Sequence, residues 1–257
     1  MKVVLFAGGL GSRIGEETHL RPKPMVEIGG KPILWHIMQG FRAQGMREFV
    51  ICLGYKGYYI KEYFANYFLH NSDVTVDLAN NTTEIHRGAR EDFRVTLVDT
   101  GENTMTAGRL QRIRHYVKDG PFMLTYGDGV SDIDLCRLQA FHRGHGKVAT
   151  VSVVQPAGKF GVIEADADGK VSRFTEKPKQ EGGWINAGYF VLQPEVFDYL
   201  GEDADLQMWE EAPMRQLVQA GQLVAHRHTG FWKCLDILRD KVELEALWQA
   251  GAPWKTW

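Results

Sequence analysis

KVVLFAGGLGSRIGEETHLRPKP, residues 2–24, is the stretch on which the fold class turns. Its first six residues form an apolar run that reads as a strand buried on both faces. Directly behind come Gly8, Gly9, Gly11 and Gly15, with Arg13, Arg21 and Lys23 and the prolines Pro22 and Pro24. Glycines after a first strand let backbone N–H groups approach a ligand closely, and consecutive N–H groups aimed one way cradle phosphate oxygens. Arg13 suits bidentate phosphate contact, Lys23 brings a compact charge, and the flanking prolines stiffen the backbone that carries it. The spacing Gly8-Gly9-Leu10-Gly11 fits neither GxGxxG nor GxxxxGK[ST], which speaks against dinucleotide and Walker-type phosphate sites.

Outward from this loop the chain alternates strand and helix patterns. A helix is expected over 32–45, a strand over 49–54, a helix over 56–68, a strand over 94–100, a helix over 109–118 and a strand over 122–128. That β-α-β rhythm implies an α/β fold with a mostly parallel, Rossmann-like central sheet and helices on both faces. The second half changes texture: 147–154, 160–166 and 170–177 are closely spaced strand candidates, with Asp168-Gly169 as a hairpin turn, and antiparallel additions to the sheet are expected there. A strand over 185–194, a helix over 208–222, a strand over 223–229 and a helix over 236–251 close the chain. No repeat or long linker interrupts it, so we expect one domain over 1–257, with 1–130 as a nucleotide half and 131–257 as a sugar-phosphate half.

With 44% hydrophobic and 24% charged residues in 257, the composition is that of an ordinary globular enzyme-sized chain. A formal net charge of −2 gives no electrostatic reason to expect nucleic acid or an anionic membrane as partner. Cys52, Cys136 and Cys234 stand far apart without CxxC spacing, which suits a reducing cytoplasm. No run approaches the roughly 20 apolar residues of a membrane span.

FAGGLGSRIGEETHLRPKPMVEIGGKPIL, residues 6–34, resembles the signature GGxGxRLxPxTxxxPKPxxxxxxKPxI of the sugar-1-phosphate nucleotidylyltransferases. It departs at Ile14-Gly15-Glu16-Glu17, where many thymidylyl- and uridylyltransferases carry leucine and proline. That departure resembles the branch of the family that uses CTP and glucose 1-phosphate. VTLVDTGENTMTAGRL, TYGDGVSDIDL, EKPK, INAGYFVL, GFWKCLDILRDKVELEALW and the tail APWKTW agree with that branch, so the resemblance spans essentially the whole chain.

The resemblance implies a GT-A-like nucleotidyltransferase fold and a reaction in which a sugar-phosphate oxygen attacks the α-phosphorus of a nucleoside triphosphate. Such a step needs alignment and positive charge and no protein nucleophile. The implied catalytic set is Arg13, Lys23 and Asp128. Nucleotide contacts fall on Phe6, Ala7, Gly8, Gly9, Leu10, Gly11, Ser12, Arg13, Lys23, Thr104, Arg109 and Gly127. Mg²⁺ is expected on Asp128 and Asp236, since this ion takes one or two carboxylates plus phosphate oxygens. Lys177 is assigned to the sugar phosphate, with Asn186 and Glu176 for its hydroxyls. The family also suggests a trimer or hexamer, and a product feeding deoxysugar synthesis for surface polysaccharide.

On the residues alone, plainer readings stand beside these. Asp236 reads equally as a helix cap, Asp132 and Asp134 as a loop residue and a cap, Lys177 as an exposed strand-end lysine, and Arg109 as a solvated first-turn residue. The aromatic segment 55–68 reads as core or subunit contact, and His226 and His228 as exposed strand histidines without further metal partners. No GxSxG supports a nucleophilic hydrolase. A dTTP- or UTP-using relative and a glycosyltransferase remain the competing functions; GGLGSR with PKP favours a triphosphate over the metal-held diphosphate of a glycosyltransferase.

Overall fold

Val3, Val4 and Leu5 are wholly buried because the sheet they centre is covered on both faces. Alternate residues of the strand enter different cores: Val3, Leu5 and Ala7 one, Val4 and Phe6 the other. The computed structural model describes residues 1–11, 14–88, 91–156, 162–165, 170–175 and 183–257, with the backbone alone for Glu16, Arg87, 162–165 and 171–175.

In chain order the first half runs β1 (Lys2–Ala7), α1 (Gly15–Thr18), β2 (Glu27–Ile28), β3 (Lys31–Pro32), α2 (Ile33–Ala43), β4 (Glu48–Leu53), α3 (Gly57–Ala65) and α4 (Tyr67–Asn71). Next come β5 (Ser72–Asp77), β6 (Thr82–Gly88), β7 (Arg94–Asp99), α5 (Thr106–Arg112), α6 (Arg114–Val117) and β8 (Phe122–Tyr126). The second half continues with β9 (Gly129–Ser131), α7 (Leu135–His145), β10 (Ala149–Val154), β11 (Val162–Ala165), β12 (Val171–Thr175) and β13 (Ile185–Leu192). It ends with α8 (Ala212–Gln219), β14 (Leu223–Arg227), β15 (Trp232–Cys234) and α9 (Leu238–Gln249).

The main sheet has seven strands in the order β14-β10-β13-β8-β1-β4-β7. Every neighbouring pair is parallel except the two made by β13, which runs against both β8 and β10. The expected mostly parallel α/β sheet is therefore present, with β13 as its antiparallel member. Helices α2 and α9 contribute to the core on one face, α5 and α8 to the core on the other.

Several local expectations need correction. The strands at 162–165 and 171–175 pair with each other as a separate hairpin and do not extend the main sheet, and their expected Asp168-Gly169 turn lies outside the described residues. The expected helix over 56–68 is broken at Asn66, whose backbone N–H still closes the first helix onto Glu62. The helix expected over 109–118 starts earlier, at Thr106, and is interrupted at Ile113. The hairpin β5–β6 had no strong pattern to reveal it, because its side chains are largely exposed on both faces.

Candidate functional site

Strands β1, β4 and β8 run parallel, so the segments following Ala7, Leu53 and Tyr126 emerge at one edge of the sheet, the edge where open α/β sheets bind ligands. A cleft of about 590 Å³ opens there, floored by the glycine loop after β1 and by Gly127 and Asp128 after β8. Its other walls are the segment 102–106, Met208 and Glu210.

The fit is close enough that Gly8 and Gly127 are steric requirements. A Cβ on Gly8 would fall 2.2 Å from the Arg109 guanidinium, and one on Gly127 would meet the Phe6 carbonyl at 3.0 Å and Pro24 at 3.1 Å. Gly11 adopts φ +62° while packing on Thr18 and Lys23.

Lys23 begins a short 3₁₀ turn between Pro22 and the buried Pro24. Its ammonium donates to Asp128 Oδ2 at 2.7 Å and to Asp236 Oδ1 at 3.0 Å, with the lysine side chain 14% exposed. Burial pulls the Lys23 pKa down, but the two carboxylates outweigh it and hold the pKa above the ordinary lysine value. The carboxylates meet because β9 and β15 pair antiparallel with Gly129 opposite Cys234, and the Leu235 N–H continues the ladder onto the Asp128 carbonyl at 2.8 Å. Asp236 follows one residue later. Asp236 stands one residue before the N-cap, Ile237, of α9, and Asp240 inside that helix reaches back with Oδ2 to accept the N–H groups of Asp236 and Ile237 at 3.0 Å each.

Two carboxylates converging on one cationic nitrogen provide a donor pair of the kind Mg²⁺ accepts, leaving further positions for phosphate oxygens. No cluster of three or more His, Cys, Asp or Glu gathers among the described residues.

Arg109 is not the solvated first-turn residue that its place in the sequence also allowed. It is 4% exposed, and its guanidinium donates to the carbonyls of Gly8, Leu53, Gly101 and Glu102 and to the Thr100 hydroxyl, at 2.8–3.2 Å. It ties the glycine loop to the ends of β4 and β7 at the wall of the cleft.

The cleft gathers Phe6, Ala7, Gly8 to Gly11, Lys23, Thr104, Arg109, Gly127, Asp128 and Asp236. Ser12, Arg13, Glu176 and Lys177 lie outside the described residues. Asn186, on β13, is exposed, and its Oδ1 accepts the Gly188 N–H at 2.7 Å.

The nucleotidyl transferase family model matches residues 2–237. The chain belongs to the nucleotidyl transferase family. This nucleotidyl transferase is 56% identical to the glucose-1-phosphate cytidylyltransferase of Salmonella typhi and 41% identical to the probable glucose-1-phosphate cytidylyltransferase of Bacillus subtilis (strain 168), each alignment covering 100% of both chains. Its fold matches the crystal structure of HddC from Yersinia pseudotuberculosis with a TM-score of 0.69 at 23% identity, over 96% of this chain and 99% of that one.

Tyr126 and Glu210 are among the cleft residues of this nucleotidyl transferase that the sequence reading did not single out. Tyr126 stands in the quoted TYGD run but reads as a strand residue, and Glu210 falls in a stretch expected to be helical. Glu210 accepts hydrogen bonds from the Tyr126 phenol and from the Thr106 hydroxyl. Burial, then the Glu210 charge, raises the Tyr126 pKa well above that of an ordinary tyrosine, so the phenol remains a donor. The histidines differ from expectation too: both are half-buried, His226 edge-on to Phe141 and His228 with Nε2 2.9 Å from Asp132 Oδ1. Asp134 caps α7, as its position suggested, by accepting the Arg137 N–H at 2.8 Å.

Proposed function

We propose that this nucleotidyl transferase moves the cytidylyl group of CTP onto α-D-glucose 1-phosphate, giving CDP-glucose and pyrophosphate. The observation that carries this reading is 56% identity, end to end in both chains, to a glucose-1-phosphate cytidylyltransferase. The cleft supports it: a glycine loop fit for phosphate, a lysine at its base and a carboxylate pair lie together.

A phosphate oxygen of glucose 1-phosphate forms a bond to the α-phosphorus of CTP as the bond from that phosphorus to the bridging oxygen of the β-phosphate breaks. The electron pair leaves with pyrophosphate. The chain's part is to hold donor and acceptor in line and to meet the charge that builds on the leaving group. The N–H groups of the glycine loop and the Lys23 ammonium serve that end, with Arg13 as a second cation of the same loop. Mg²⁺, held by Asp128 and Asp236, would neutralise phosphate oxygens and template the triphosphate. Lys177 and Glu176 complete the sugar-phosphate side together with Asn186.

A cytoplasmic enzyme supplying CDP-glucose for deoxysugar and surface-polysaccharide synthesis such as O-antigen is the cellular role we propose, with self-association as a trimer or hexamer. Apolar side chains exposed on α3, α4 and the β5–β6 hairpin, among them Tyr58, Phe68, Val76 and Leu78, support association. Light scattering on the purified chain measures it directly.

The test of the reaction is pyrophosphate release with glucose 1-phosphate and Mg²⁺, offering CTP, UTP, dTTP, ATP and GTP separately. Release with CTP alone, lost in Asp128→Ala, is the expected result. Preference for UTP or dTTP would overturn the cytidylyl assignment, and silence with every nucleotide would reopen the glycosyltransferase reading.

A further inference from the structure

Glu210 is a carboxylate on the cleft wall, held from two sides. One oxygen accepts from the Tyr126 phenol at the end of β8, and the other from the Thr106 hydroxyl at the start of α5, at 2.8 Å. Thr106 is itself fixed by the backbone N–H of Trp209 at 2.7 Å. The Tyr126 ring sits where a Cβ on Gly188 would fall, 2.5 Å from its Cδ2, so β13 at this point accommodates only a glycine with φ +80°. The carboxylate is thus immobilised before any ligand arrives, and little side-chain entropy remains to be lost on binding.

Each carboxylate oxygen can accept two hydrogen bonds, and one acceptor position on each is taken. Two positions remain on a residue that faces the cleft, matched to two neighbouring hydroxyl donors. Its negative charge repels phosphoryl groups, so the parts of the substrates it can hold are the uncharged polyhydroxyl rings, ribose or glucose. Sheet order decides between them. The phosphate loop follows β1, whereas Tyr126 ends β8, whose neighbour on the side away from β1 is β13, the strand that carries Asn186.

We propose that Glu210 is a sugar-selecting residue whose carboxylate accepts two adjacent hydroxyls of the glucose ring of glucose 1-phosphate. The inference rests on the reaction proposed above. In Glu210→Gln, which keeps the shape and removes the charge, the KM for glucose 1-phosphate is expected to rise about 10- to 100-fold, the range for losing a charge-assisted hydrogen bond. The KM for CTP should stay within about twofold, the melting temperature should hold, and preference for glucose 1-phosphate over galactose 1-phosphate and mannose 1-phosphate should narrow. A rise in the CTP KM would assign Glu210 to ribose and overturn the inference. Unchanged KM values, or an unchanged epimer preference, would leave it a purely structural residue. Wild-type protein is assayed first: if it makes no CDP-glucose the proposed reaction fails and Glu210's role with it, whereas active wild type beside an unaltered variant sinks Glu210 alone.

Discussion

Lys23 Nζ lies 2.7 Å from Asp128 Oδ2 and 3.0 Å from Asp236 Oδ1, joining residues 105 and 213 positions away along the chain. Lys23→Ala therefore removes a charge from the proposed phosphate site and takes the ammonium from between two carboxylates. We expect the rate of pyrophosphate release to fall roughly 100- to 1,000-fold, the usual cost of losing a preorganised charge-stabilising contact. Because a divalent cation can take over the role of the missing ammonium, Mg²⁺ should raise the melting temperature of this variant more than that of wild type. Scanning fluorimetry with and without Mg²⁺ measures the difference.

Arg109 and the backbone around it form a prediction about stability. Its guanidinium meets four carbonyls and a hydroxyl contributed by the ends of β1, β4 and β7. Arg109→Ala strands those acceptors in a buried site and should cost about 3–5 kcal/mol. Arg109→Lys should recover only part, since an ammonium cannot span the same fork. Urea denaturation of the two variants separates these outcomes.

Gly8 and Gly9 should behave differently although they are adjacent. A Cβ on Gly8 would collide with the Arg109 guanidinium and with the Gly54 nitrogen at 2.9 Å, while one on Gly9 meets nothing within 4 Å. Gly8→Ala is expected to lower the melting temperature by several degrees, corresponding to a loss of roughly 1–3 kcal/mol. Gly9→Ala should melt like wild type and raise only the KM for the nucleotide, because its space is open toward the cleft.

His142 sets an acid limit on stability. Burial lowers its pKa to about 4, and its ring is engaged by Thr150 at 2.8 Å and Gln193 at 2.9 Å. The unfolded chain protonates this histidine near pH 6.5, the folded chain only near pH 4, so between those values the unfolded state binds more protons and stability falls with pH. The loss approaches roughly 3 kcal/mol at the lower end. Unfolding free energies at pH 7.5, 6, 5 and 4 should trace this decline, and His142→Gln should flatten it.

The β-α-β rhythm, the burial of KVVLFA and the glycine loop were legible in the sequence because each is a local pattern. Apolar period reports which faces are covered, and a run of glycines reports backbone in close quarters. Features without a local signal stayed hidden. The break at Asn66 and the early start of α5 at Thr106 depend on packing against other segments, and the β5–β6 hairpin exposes too much of both faces to leave an alternating code.

The site divides along the same line. Sequence by itself determined that a glycine loop follows the first strand, that Lys23 is mounted between prolines, and, through its end-to-end likeness to a family, that Asp128 and Asp236 belong with it. Only the tertiary structure decided that Arg109 is a buried brace with its donors turned to backbone carbonyls, and that Glu210 faces the cleft between Tyr126 and Thr106. It also supplied the reason the aspartates meet, the β9–β15 ladder that carries them to one point. The physical reason is range: backbone preference and hydrophobic period act over a few neighbours, whereas hydrogen-bond partners across the cleft are chosen by the whole sheet once it has closed around them.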